Sequence, residues 1–280
     1  MFPGVRLAGR FELAAIFVAV ALCAPAAFAD ACPTEGEAGA AIVEAIDGAT
    51  LRLTDSGEIR LAGIDAPARP LGLAPGAPWA PGEAARAGLA RLAAGKSVTL
   101  AEAGEGPDRY GRAHAYVFLP DGRSLAVALI GDGFARARWF PDENGCFAAF
   151  LGAEKMAREA KRGLWAAAGF AIQAADDPSL GTRNGLYDLV EGRVVSVGHG
   201  SRMIFLDFGH DIRRDFTVMV PPAVAEALAA AGRGADGFAK RRVQVRGVIE
   251  ESYGPAIRLN DPAEIELLND DGQNDVGAPR

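Results

Sequence analysis

The stretch IRLAGIDAPARP, Ile59 to Pro70, sets Arg60 and Asp65 five residues apart ahead of a proline turn. A planar guanidinium can take two phosphate oxygens at once, and a carboxylate suits a hard cation. The pair has the chemistry of half a phosphate-cleaving site, and the other half must come from elsewhere in the chain. A second basic stretch, DRYGRAHAY, offers Arg112 with Tyr110 before it and His114 two residues on. Residues two apart on a strand share a face, so Arg112 and His114 point to one side. A neutral imidazole there could act as a base near neutral pH; a histidine at a barrel rim, satisfied by one hydrogen bond, is the blander alternative. Asp47 either lends a carboxylate or caps its own Asp-Gly turn. Glu83 opens a helix, where a carboxylate suits the positive end of the dipole.

These side chains need a scaffold. From Ala41 the segments IVEAI, TLRLT and EIRLAGI alternate in strand fashion between Asp-Gly and Ser-Gly turn signals. A helix is predicted from Glu83 to Ala94, stopped by Gly95. SVTLAEA and GRAHAYVFLPDG add two strands, a short helix follows, and a last helix spans Cys146 to Arg162, leading into Leu164-Trp165 as an apolar plug. Five strands with interspersed helices predict a small closed barrel over residues 38–168. The insert ARPLGLAPGAPWAPGEA presents Arg69 and Trp79, either as a charge and a stacking face for a ligand or as a structural loop with Trp79 folded onto the barrel. Residues 169–185 lack a period and read as a linker. The pattern restarts with VEGRVVSVG, RMIFLDFG and DFTVMV, a helix in PPAVAEALAAAG, then RRVQVRGVIEE and PAIRL, so a second five-stranded barrel is expected over 186–268, with a polar tail at 269–280. The fold class is mainly β with helices.

The full sequence has a formal net charge of −7 and is half apolar. A negative balance argues against non-specific nucleic-acid binding, so any polyanion site must be local. Residues 1–29 read as a cleaved export signal: Arg6 and Arg10 precede LAAIFVAVALCAPAAFA, which ends in Ala27-Phe28-Ala29. An uncleaved anchor is the alternative, although the apolar run is short for a bilayer. Cleavage after Ala29 places the protein in a periplasm or outside the cell. It leaves Cys32 and Cys146, either one disulfide or two buried thiols.

IDGATLRL, IRLAGIDAP, DRYGRAHAYVFLPDG and AREAKRGLW, in this order, resemble the staphylococcal nuclease (thermonuclease) family. The resemblance implies a barrel that holds one calcium ion and cleaves nucleic-acid phosphodiesters. It implies catalytic, phosphate-gripping roles for Arg60 and Arg112, a place beside the phosphate for Tyr110, and a calcium-binding role for Asp65. Two positions depart from the family pattern. Ala49 stands where the family reads a second calcium carboxylate, and Ala68 where it reads the glutamate that activates water. Asp47, two residues before Ala49, is the candidate replacement ligand. Calcium takes 6–8 oxygen ligands, so its binding here is expected to be weak, and loss of a positioned base costs about 10²–10⁴ in rate. The second half resembles the additional oligonucleotide/oligosaccharide-binding (OB) barrel of exported bacterial members.

In that half, His199, Arg202, His210, Arg213 and Arg214 occupy turns, interleaved with Asp207, Asp211 and Asp215. Either they bind a ligand at one barrel end or they are solvated loops. The expected function is an exported protein that binds a nucleic acid or another phosphate-bearing ligand with weak or absent hydrolysis. The alternatives are an active calcium-dependent nuclease with rearranged ligands and an envelope module that binds protein.

Overall fold

The computed structural model describes residues 32–269 except 34–35, 55–56, 69–73, 75–76, 105, 168–169 and 171. The expected export signal and most of the polar tail lie outside these residues. Among the described residues no helix is long and apolar enough to cross a membrane.

Strands β1 (Glu37–Ala45), β2 (Thr50–Leu53), β3 (Gly57–Leu61), β5 (Ser97–Glu102) and β6 (Ala113–Phe118) close into a barrel in the order β1-β2-β3-β6-β5. Two irregularities in β1, between Ala38 and Ala40 and between Ile42 and Glu44, bend it enough to pair with β5 on one side and β2 on the other. Leu51, Ile59 and Leu61 are fully buried in the core. By the period of two, Thr50 and Arg60, which face each other across the β2–β3 ladder, lie on the opposite side. Arg60 also pairs in register with His114 of β6.

Helix α1 (Ala80–Ala93) carries Pro81 in its first turn, buries Ala85, Gly88, Leu89 and Ala93, and ends ahead of Gly95 at φ 69°. Helix α2 (Leu125–Gly131) starts at Ser124, whose hydroxyl accepts from the Val127 N–H at 3.3 Å. Helix α3 (Phe147–Glu159) follows Cys146, which is disulfide-bonded to Cys32, with Cα atoms 4.5 Å apart. Two short strands, β4 (Ile64–Asp65) and β7 (Arg136–Ala137), pair antiparallel and set Asp65 opposite Arg136. Leu164, in a turn of 3₁₀ helix at Gly163–Ala166, is buried, and Trp165 beside it is half-buried.

The second half departs from the expected closed barrel. Its strands form one open eight-stranded sheet, β10-β11-β12-β14-β13-β9-β8 with β15 added on β13. The segment VEGRVVSVG breaks into β9 (Tyr187–Arg193) and β10 (Ser196–His199), followed by β11 (Ile204–Asp207), β12 (Thr217–Val220), helix α4 (Pro222–Ala230), β13 (Arg242–Ser252), β14 (Gly254–Arg258) and β15 (Ile265–Leu268). The eleven-residue β13 serves two neighbourhoods: its first part lies between β9 and β15, and its end pairs with β14. Strand β8 (Gln173–Ala174), from the expected linker, takes the outer edge of β9. At the other end His199 Nε2 of β10 lies 2.8 Å from Asp236 in a 3₁₀ turn. Leu180, also in the expected linker, is buried in the core of this half.

Buried polar side chains join the two halves. Arg246 of β13 donates from Nη1 and Nη2 to the two carboxylate oxygens of Glu154 in α3, at 3.0 and 2.9 Å, and Glu154 also accepts the Ala137 N–H at 2.8 Å. Arg136 reaches the Phe170 carbonyl at 2.7 Å and Asp188 at 3.3 Å, and the Tyr187 hydroxyl donates to the Ala137 carbonyl at 2.9 Å.

Candidate functional site

The Asp47-Gly48 turn approaches helix α1 so closely that a Cβ on Gly48 would lie 2.7 Å from the Ala85 methyl and 2.9 Å from that of Ala66. Glycine is required there by contact, and the approach walls one side of a cavity of about 400 Å³. Arg60, Asp65 and Asp47 line it together with Ala49 and Ala68, so the strand, the turn and the proline turn that carry these candidates do meet. Arg86, Glu83, Trp79 and Arg138 complete the charged and aromatic wall.

Each carboxylate of that wall is already engaged. Asp47 caps its own turn, accepting the Ala49 N–H at 2.7 Å and the Thr50 hydroxyl at 2.9 Å. Asp65 accepts from Arg138 Nη1 at 3.2 Å. Burial pushes the Asp65 carboxyl above its ordinary value, against the pull of the Arg138, Arg136 and Arg60 guanidiniums. Glu83, in the first turn of α1, lies 3.4 Å from Arg86 on an exposed face. Arg60 differs: among the described residues its guanidinium has no hydrogen-bond or ion-pair partner.

Arg112 and Tyr110 are not part of the cavity lining. Arg112 is fixed one step away, donating to the Thr50 hydroxyl at 3.2 Å, the same hydroxyl that donates to Asp47. Its other nitrogens grip Asp108, Nε at 2.9 Å and Nη2 at 2.7 Å, and its guanidinium lies 5.1 Å from the centre of the exposed Tyr110 ring. Desolvation opposes the Asp108 charge, but hydrogen bonds from the Arg112 side chain and from the Arg112 and Tyr110 N–H groups outweigh it and hold the carboxyl well below the carboxylate range. His114 stands at the barrel rim. Its Nδ1 is hydrogen-bonded to Glu143, whose second oxygen accepts the Gly63 N–H at 2.9 Å, and its buried Nε2, 3.8 Å from Asp108, lacks a hydrogen-bond partner among the described residues.

Residues 58–167 match the family model of staphylococcal nuclease homologues, and the closed five-stranded barrel is consistent with the fold of that family. This part of the chain is a staphylococcal nuclease homologue domain. No curated protein matches the chain.

The calcium ion associated with staphylococcal nuclease homologues does not fit the donors present. Ala49 and Ala68 bring methyl groups to the lining, Asp47 spends both oxygens on its turn, and Asp65 faces an arginine. Among the described residues no group of three or more His, Cys, Asp or Glu side chains could hold a metal ion. A cation that wants 6–8 oxygens, several of them charged, meets an insufficient set.

Arg138, Arg86, Thr50, Asp108 and Glu143 were not singled out by their sequence. The segment ARARWF carried a signal for Arg138, since arginine alternating with alanine marks one face of a strand as basic. Trp79 folds against the site, half-buried, with a buried indole N–H that lacks a partner among the described residues, and Arg69 lies outside them. In the second half Arg202, His210, Arg213 and Arg214 are exposed, while Asp211 and Asp215 accept backbone N–H groups of their own loop.

Proposed function

We propose that this protein is exported and binds a nucleic acid or another phosphate-bearing ligand in the Arg60 cavity, with phosphodiester hydrolysis slow or absent. The observation that carries this reading is the contrast inside the cavity. Among the described residues the Arg60 guanidinium has no hydrogen-bonded partner, although its charge acts on Asp65, whereas each carboxylate that could hold a metal is already bonded to an arginine or to its own turn. A guanidinium without a hydrogen-bonded partner among the described residues, in a cavity of this size, suits a phosphate, and Arg112, paired with Asp108, is tied through Thr50 to the same wall. The Cys32–Cys146 disulfide favours an oxidising compartment and so supports export.

The test is calorimetric titration of the full chain with a nucleoside bisphosphate, alongside cleavage assays on DNA and RNA in calcium. Binding lost in Arg60→Ala and weakened in Arg112→Ala, with little cleavage, is expected. Robust calcium-dependent cleavage that disappears in Asp65→Ala would establish an active nuclease with rearranged ligands instead.

A further inference from the structure

Arg138 leaves β7 just beyond the ladder that carries Asp65, and its N–H donates to the Gly63 carbonyl at 2.9 Å. Its guanidinium carbon lies 4.7 Å from the centre of the Phe140 ring and 5.0 Å from that of Tyr187, so two aromatic faces hold the charge from the side. Tyr187 is itself buried and anchored by its hydroxyl to the Ala137 carbonyl. The remaining direction is the cavity, where Arg138 pairs with Asp65 and shares the wall with Arg60 and Arg86. The aspartate that lines the barrel mouth therefore already has a positive partner built into the chain, supplied by β7 and steadied by the first residue of β9.

We propose that Arg138 is the resident cation of this site: paired with Asp65 and beside Arg60, it supplies the positive charge that a metal ion would otherwise supply, so the cavity takes the phosphate of a nucleotide-sized ligand without metal. The proposal rests on the reading of the Arg60 cavity as a phosphate site and adds how that site is charged. A guanidinium neutralises Asp65 without needing the 6–8 oxygen ligands that calcium requires, and it has further N–H groups with which to donate to an anion. The site would select phosphate by fork geometry, which arginine provides and lysine does not.

The experiment is titration of the full chain with a nucleoside bisphosphate, once in calcium and once in chelator. Affinity in the two conditions should agree within about twofold. Arg138→Gln should lose about tenfold or more, the scale of one charge-assisted hydrogen bond, and should lose it in calcium and in chelator alike, since releasing Asp65 alone does not complete a calcium site. Arg138→Lys should recover only part of the loss. Wild-type binding that requires calcium overturns the proposal, and because that comparison needs no variant it decides even if Arg138→Gln melts early. Arg60→Ala separates the two levels. If it abolishes binding while Arg138→Gln leaves binding intact, the phosphate site stands and the role of Arg138 falls; if Arg60→Ala has no effect, the phosphate site itself is refuted and this proposal with it.

Discussion

Removing one member of the Glu154–Arg246 pair should be among the most damaging single changes in the chain. Glu154 is fully buried and Arg246 is 2% exposed, and two hydrogen bonds of 2.9 and 3.0 Å join them in a fork. Arg246→Met leaves a buried carboxylate with the Ala137 N–H as its hydrogen-bond donor and Arg158 as the remaining charge near it, and Glu154→Gln leaves a buried guanidinium with the Ala137 carbonyl at 3.2 Å and Glu266 at 3.9 Å but without its forked carboxylate. Either loss costs about 3–5 kcal/mol. A chain of this size shifts its melting temperature by about 2–4 °C per kcal/mol, so each single variant should melt about 6–20 °C lower. The double variant removes both charges and keeps an acceptor for the Ala137 N–H, so it should recover most of that loss. Because α3 and β13 belong to different halves, the destabilisation should appear in signals from both, in one transition. The assay is thermal and urea unfolding of the four proteins followed by circular dichroism and tryptophan fluorescence. A loss below about 1 kcal/mol in Arg246→Met, or a double variant whose loss equals the sum of the singles, would show that the pair does not couple the halves. The pH dependence has a fixed sign. Burial pushes the Glu154 carboxyl up, but the Arg246 guanidinium outweighs it and holds the folded value below the ordinary 4.5. The pair's contribution is thus complete above the unfolded carboxylate value and fades as pH falls through the lower folded one. Wild type should lose stability in that acid window, and the double variant should lose less.

Three further outcomes are expected. In the exported form Cys32 and Cys146 should resist alkylation until reduced, by mass spectrometry, and Cys146→Ser should cost about 2–5 kcal/mol, because the bond spans 114 residues of chain. Restoring carboxylates with Ala49→Asp and Ala68→Glu together should raise calcium affinity, measured by calorimetry, and nuclease rate by more than the two single changes combined, since metal and base act on one water; equal or smaller gains would mean that the two positions do not share a site. Tyr253 sits at the tip of the β13–β14 hairpin with φ 67° and is 80% exposed, so Tyr253→Gly should stabilise the fold by about 1 kcal/mol in urea unfolding, and a loss would point to packing by the ring.

The first barrel was legible because its signals are local. Alternating segments bounded by Asp-Gly and Ser-Gly turns, Gly95 as a helix stop, and the Arg60, Asp65 and Arg112 stretches all lie within windows of a few residues, and the staphylococcal nuclease resemblance rested on the same windows. The even cysteine pair made a disulfide one of two alternatives, and the structure decided for it. The second half shows where such signals stop. Five segments were expected as strands from their own alternation, but β15 was not among them and β8 comes from a stretch whose two paired residues are too few to show a period, and whether a sheet closes depends on how such strands pair. The site divides the same way. Sequence marked Ala49 and Ala68 as missing carboxylates, because a substitution is visible without coordinates. That Asp47 bonds its own turn, that Arg112 stands one hydroxyl away from the cavity, and that Arg138 reaches Asp65 from 73 residues along the chain are matters of distance. Charge pairing falls off with separation in space and is indifferent to separation in sequence, so only the tertiary structure could decide which arginine answers which carboxylate.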